Sequence, residues 1–299
     1  MPSNPDAGVA VGRMRPRQAV SRLSSYPHRV CMSYTNPAAY DRFMGRWSAR
    51  LAPSFVYFAE LHDGQHILDV GCGTGSLART VLSFGPATRV TGVDPEEDYV
   101  AFAHDAVRSP NANFQVAAAE CLPFAKSSFD AALALLVLQE FSDSSTAILE
   151  MTRVTRPGGI IAACLWDFED GLPMLSLVWE AAEAVAPEAV ARWRRENPRP
   201  PRATLAGIVE LWRSSGMRAV TTATLELPMQ FASFGDYWEP FLGGPTSMSA
   251  FAAAMNTQTG GRLARVLQEK ISGVRADGSF VLPARAWAVK GISAPTDNR

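Results

Sequence analysis

His66-Ile-Leu-Asp-Val-Gly-Cys-Gly-Thr-Gly75, followed by Ser76-Leu-Ala-Arg-Thr-Val-Leu82, is the stretch on which the fold turns. An aliphatic run ends in glycines at i, i+2 and i+4, and a helical pattern starts directly behind them. Glycine tolerates positive φ and carries no Cβ, so a ligand can lie against bare backbone at the C-terminal edge of a parallel sheet. A nucleoside cofactor suits such a turn. A dinucleotide fingerprint would place glycines at 71, 73 and 76, but position 76 is Ser and the third glycine falls at 75. Asp94 ends the next strand pattern, where a carboxylate accepts hydrogen bonds from both ribose hydroxyls of either an adenosyl cofactor or NAD.

Outward from this turn, short β-branched runs alternate with helical patterns, the signature of βαβ units on a parallel sheet. Strands are predicted at 66–70, 89–93, 113–116, 130–136 and 159–165, with helices at about 76–83, 96–108 and 143–155. Ser142 and Asp143 supply an N-cap for the last helix, and Arg156-Pro-Gly-Gly159 stops it. Tyr40 to Leu61 reads as one or two helices packed across the sheet's C-terminal edge. Further helices are predicted near 173–186 and 204–215, then strands at 219–228 and 279–289. The aromatic-rich segment between those strands is too long for a plain hairpin and reads as an inserted helical lid.

Composition narrows the function classes. Of 299 residues, 28 are Lys or Arg and 29 are Asp or Glu, a net charge of −1 that argues against a chain held to nucleic acid by phosphate contacts. Only Lys126, Lys270 and Lys290 among those 28 are lysines, and the arginines are spread along the chain. Cys31, Cys72, Cys121 and Cys164 have neither zinc nor CxxC spacing, which fits free thiols in a reducing cytoplasm. No apolar run approaches the roughly 20 residues of a membrane span. His62 and His66 flank a turn without a third ligand, so no metal is expected. Residues 1–31, with five arginines and one acid, read as a disordered leader. It is either an Arg-rich targeting segment or sequence upstream of a true start at Met32.

Asp69-Val-Gly-Cys-Gly-Thr-Gly75, Gly92-Val-Asp-Pro95, Leu122-Pro-Phe124 with Ser128-Phe-Asp130, and Arg156-Pro-Gly-Gly159 resemble, in order and spacing, the motifs of class I S-adenosylmethionine-dependent methyltransferases. The nearest branch is the type 11 group, which includes quinone C-methyltransferases. Tyr40-Asp-Arg-Phe-Met-Gly-Arg-Trp-Ser48 is similar to bacterial members, and the resemblance covers about residues 34–166. It implies an α/β fold: a doubly wound, mostly parallel, seven-stranded Rossmann-like sheet with an antiparallel last strand and a helical lid insertion. The domain would occupy 32–299, with a core at 62–166, terminal strands at 218–228 and 279–290, and lid segments at 167–215 and 231–275.

Carried over by residue, the resemblance implies that Gly71, Gly73 and Gly75 lie against the methionine and ribose portions of S-adenosylmethionine, with Asp69 near its amino group. Asp94 would hold the ribose, Pro95 would flank the adenine, Ala119 and Glu120 would meet the adenine edge, and Leu136 would lie beside the methionine. Many relatives carry Gly-Asp-Ala where this chain has Ala117-Ala-Ala119, so either Glu120 replaces the missing acid or backbone and packing hold the adenine. Tyr40 and Arg46 are candidates for gripping the cofactor's carboxylate, since an arginine fork matches one.

Methyl transfer from a sulfonium requires in-line approach and a dry pocket more than covalent help. Glu140, after the fourth strand, is the candidate general base for an acceptor that must lose a proton. Gln139, Tyr237 and Trp238 are candidates for the acceptor pocket. The expected activity is methyl transfer to a small, partly apolar metabolite. The alternatives are an NAD-dependent oxidoreductase, or a catalytically inactive protein that keeps the adenosyl pocket.

Overall fold

Seven strands form one sheet in the order β3-β2-β1-β4-β5-β7-β6. They are β1 (His66–Val70), β2 (Arg89–Asp94), β3 (Ala112–Val116), β4 (Phe129–Leu135), β5 (Thr155–Trp166), β6 (Arg218–Phe231) and β7 (Phe280–Ile292). The computed structural model describes residues 36–197, 204–244 and 246–294, so the expectation for the leader at 1–31 lies outside the described residues. The first five strands pair in parallel, and β7 runs antiparallel between β5 and β6. Order reverses between β1 and β4, and at that switch point parallel α/β sheets open a crevice beyond their strand ends.

The helices are α1 (Pro37–Tyr40), then a π-helical turn at Asp41–Gly45 that runs into α2 (Arg46–Ala59), α3 (Ser76–Leu82), α4 (Glu97–Val107), α5 (Ser144–Val154), α6 (Pro173–Val185), α7 (Pro187–Glu196), α8 (Leu205–Ser214), α9 (Phe234–Gly243), α10 (Ser247–Gln258) and α11 (Arg262–Lys270). Strand alternation divides the core. On β4, Ala131, Leu133 and Leu135 join Trp47, Leu51 and Phe55 of α2 and Leu77 of α3. Ala132 and Ala134 join Ile148 and Met151 of α5 and Trp212 of α8 on the other face. There the Trp212 indole N–H donates to the Ile161 carbonyl at 3.1 Å.

Between β6 and β7 the chain forms α9, α10 and α11, the inserted helices expected from the sequence, and α11 packs along α6. Phe231 and Phe280 form the last β6–β7 pair, and their rings stack at 5.2 Å. Helix α7 is an addition to the sequence reading, although Pro187 at its first turn followed by Glu188 is a start signal. Strand β6 is the sheet's outer edge and pairs only with β7 among the described residues. An irregularity between Arg218 and Thr221, with Ala219 at φ +49°, and Pro228, which lacks an N–H, guard that edge against strand addition.

Candidate functional site

The three glycines of the β1–α3 turn all have positive φ, but for different reasons. At Gly71 a Cβ would stand 2.5 Å from Val137 Cγ2, and at Gly75 a Cβ would stand 2.9 Å from Val107 Cγ2, so packing demands both. At Gly73, φ +50°, a Cβ would meet nothing closer than Tyr99 Cδ1 at 4.0 Å. Gly73 therefore lines open space, a cradle that a side chain would fill. The Gly71 and Cys72 amides donate to the Val93 carbonyl at 2.8 and 2.9 Å, which fixes the turn against the end of β2.

Asp94 closes this cradle. Its Oδ2 accepts from the Gly73 amide at 3.0 Å and its Oδ1 from the Glu96 amide at 3.1 Å. Each carboxylate oxygen keeps a second lone pair for a ligand hydroxyl. Burial pushes the Asp94 carboxyl up to about 6 despite those donors. Asp69 is 1% exposed at the end of β1, and its Oδ2 has no hydrogen-bond partner. Burial, and then the charge of Asp94, push it up to about 7, opposed by the Ala78 amide. Burial also pushes the Cys72 thiol up, with the two carboxylates adding to the shift. These oxygens and the bare Gly73 backbone suit a ligand with hydroxyl and ammonium donors.

The segment ahead of α2 straps this turn. Thr74 Oγ1 donates to Asp41 Oδ1 at 3.0 Å, and Gly45 leaves room for that carboxylate, since a Cβ there would collide with it. Tyr40 packs edge-on against Tyr99 at 5.8 Å. Its phenol is pushed up to about 12, first by burial and next by the charge of Glu140. Glu140, in the 3₁₀ turn Leu138–Glu140 after β4, thus stands near the strap. The Asp41–Thr74 tie escaped the sequence reading, because residues 33 positions apart carry no periodic signal.

Other candidates fall elsewhere. Arg46, expected to grip a cofactor carboxylate, has its fork on Asp236: Nη1 reaches Oδ1 at 2.6 Å and Nη2 the backbone oxygen at 3.0 Å. Its guanidinium lies over Trp47 and Phe231 at 4.5 and 5.2 Å, so it ties α2 to α9. Tyr237 and Trp238, expected in an acceptor pocket, are core residues at 1% and 5% exposure. The Tyr237 hydroxyl donates to the Met174 carbonyl at 2.8 Å, and Trp238 stacks on Phe241 at 5.8 Å. An aromatic stripe at i, i+1 and i+4 serves packing as well as binding, and here it joins the insertion to the core shared by α2 and the sheet.

Glu120 Oε1 accepts from Ser142 Oγ at 2.7 Å and the Asp143 amide at 3.1 Å, bracing the start of α5. Ala119, the residue before Glu120, is buried. Pro95 is exposed beside Asp94. Leu136 is buried and left-handed, φ +59°, at the end of β4, a strained conformation for a branched residue. Its amide donates to the Cys164 carbonyl at 2.8 Å, and its carbonyl accepts from Gln139 Nε2 at 3.0 Å.

Residues 68–163 match a family model described as a methyltransferase domain. The chain is 32% identical over 193 residues to an O-methyltransferase of Aspergillus sclerotiorum, covering 62% of this chain and 64% of that protein. It is 31% identical over 159 residues to a malonyl-[acyl-carrier protein] O-methyltransferase of Erwinia billingiae, covering 53% of this chain and 59% of the relative. The chain thus spans less than two thirds of the length of these relatives. Among solved structures, a phosphoethanolamine N-methyltransferase of Haemonchus contortus, in complex with S-adenosylhomocysteine, shares the fold with a TM-score of 0.54 at 17% identity. The match covers 87% of this chain and 57% of that one.

Proposed function

From a chain whose residues 68–163 are a class I methyltransferase domain of the type 11 family, we propose an S-adenosylmethionine-dependent methyltransferase acting on a small, partly apolar metabolite in the cytoplasm. The observation that carries the reading is the Gly73 cradle, open where a Cβ would stand and closed by the Asp94 carboxylate. In this reading Asp94 accepts the ribose hydroxyls, the Gly71–Gly75 backbone lies along the cofactor, and Ala119 and Pro95 flank the adenine. The relatives named O-methyltransferases favour oxygen as the receiving atom.

When bound, S-adenosylmethionine supplies a methyl group on a sulfonium. The chain's residues hold the two reactants in line, which lowers such barriers by roughly 7 to 11 kcal/mol when orientation is complete. Glu140 would take the proton that the acceptor's hydroxyl loses on methylation. Helices α6, α7 and α9 to α11 act as the lid that keeps water out, whereas α8, which the sequence reading also assigned to the lid, packs on the other face of the sheet.

Calorimetric titration with S-adenosylhomocysteine and with NAD tests the cofactor. Micromolar binding of the first and none of the second supports the reading, and the reverse result sinks it. Release of S-adenosylhomocysteine during a screen of phenols and hydroxylated metabolites then separates an enzyme from an inactive binding protein.

A further inference from the structure

On the face of the sheet that carries α2, strand alternation sets Leu225, Leu227, Met229 and Phe231 of β6 beside Ala284, Ala286 and Ala288 of β7 in one apolar layer. At one end this layer changes character. On β6 the same face continues into the short side chains of Ala223, Thr221 and Ala219, and on β7 it ends in Lys290, directly opposite Thr221. Between that floor and the C-terminal half of α2, with Val56, Tyr57 and Leu61 as its wall, lies a groove of about 1100 Å³. A mostly apolar concavity of that size with a few polar groups is the form small-molecule sites take. The groove meets β5 near its start, at Ile160, and β7 at its end, at Ile292, so it lies at the N-terminal end of the parallel strands, away from the Gly73 cradle.

Lys290 brings a charge into this apolar layer. Its side chain is 13% exposed, and its ammonium lies over the Phe58 ring at 5.1 Å and meets Glu60 Oε2 at 2.7 Å. Glu60 is 72% exposed and sits on the left-handed C-cap of α2, so a carboxylate of the chain itself reaches Lys290 from the solvent side. The two ends of this pair differ: the lysine is fixed by its buried stem and the ring beneath it, whereas water can take the glutamate back. We propose that the groove binds a small amphipathic carboxylate, whose head group takes the place of Glu60 on Lys290 and whose apolar body lies between α2 and β6. An ammonium held at the edge of an apolar floor selects a ligand that is anionic at one end and apolar along the rest. A carboxylate drawn from solution into that place also brings an apolar body to cover the groove, which Glu60 cannot do.

Octanoate, 1-octanol and octylammonium share a chain length and differ in the head group. In calorimetric titrations of the full chain, octanoate should bind roughly tenfold more tightly than 1-octanol, the worth of one hydrogen bond to a charged group, and octylammonium should bind most weakly. Lys290→Met keeps the apolar stem and should cancel the preference for octanoate over the alcohol. Glu60→Gln removes the competing charge, and should tighten octanoate several-fold while leaving 1-octanol unchanged. Ala223→Phe fills the groove and should abolish binding of octanoate and 1-octanol alike, and melting curves identify the variants that are folded. Failure of octanoate to bind, equal affinity for octanoate and 1-octanol in the parent, tighter binding of octylammonium, or unchanged octanoate affinity in Lys290→Met would overturn the assignment. Sedimentation closes the remaining route: a parent dimer that Ala223→Phe dissociates would put a second copy of the chain in the groove and overturn it as well.

Discussion

A side chain added at Gly73 enters open space, whereas one added two residues earlier strikes Val137. Gly73→Val should therefore abolish S-adenosylhomocysteine binding while costing about 1 to 2 kcal/mol of stability through its positive φ. Gly71→Ala should cost more, because backbone strain and a clash in a close-packed site add. Thermal unfolding beside calorimetry checks both, and a Gly73→Val variant that binds normally would make the cradle a mere turn. Asp69 gives a pH signature. Its carboxyl lies near 7 in the fold against 3.8 as the unperturbed value, so the folded chain holds a proton that the unfolded chain has lost between those limits. Stability therefore falls as pH rises through that window. Asp69→Asn removes this dependence, and should be more stable than the parent above pH 7 by on the order of a few kcal/mol, the gap closing towards pH 4. Melting curves across that range decide it. At this scale the sequence reading is sound for Gly71, Gly73 and Gly75 as positive-φ positions, since a glycine needs only its neighbours to declare itself. The Leu136 conformation and the Arg46–Asp236 pair are invisible from sequence, one because no residue type demands it and the other because 190 residues separate the partners.

Elements were legible to the degree that their signals were local. β1 starts and ends where the alternation places it, and α5 begins behind Asp143, whose Oδ1 accepts from the amides of Ser145 and Thr146. The aromatic insertion was legible as helical but not as to what its rings face, because periodicity reports a buried stripe without naming its neighbour. Tyr237→Phe tests that outcome: it should cost about 1 kcal/mol, the hydrogen bond to Met174, and leave S-adenosylhomocysteine affinity unchanged. A change in turnover without a change in stability would return Tyr237 to the acceptor pocket. Arg46→Ala should loosen α9, since the half-buried ion pair and the stacking over Trp47 and Phe231 vanish together, for about 1 to 2 kcal/mol. Hydrogen exchange over residues 232–243 should rise more than exchange in β1 or β4, and uniform protection would deny Arg46 its tie to the insertion.

Across the whole molecule, both acids at the cradle titrate well above the usual carboxylate range. S-Adenosylhomocysteine should accordingly bind less tightly as pH drops from 8 to 5.5, because protonation removes the charge that its ammonium and ribose donors meet. Calorimetry at intervals across that range reads the slope, and a flat profile would exclude the two carboxylates from ligand contact. The stacked pair Phe231 and Phe280 has a consequence for descent rather than for chemistry. The chain leaves the sheet and re-enters it through one clasp, with both ends held in register by the long β6–β7 ladder. Once ends are pinned together, lengthening the excursion between them raises its entropic cost only logarithmically. The helices hung there form an exchangeable cassette: a lineage can enlarge, trim or replace them to suit a new metabolite while the catalytic chassis stays in register.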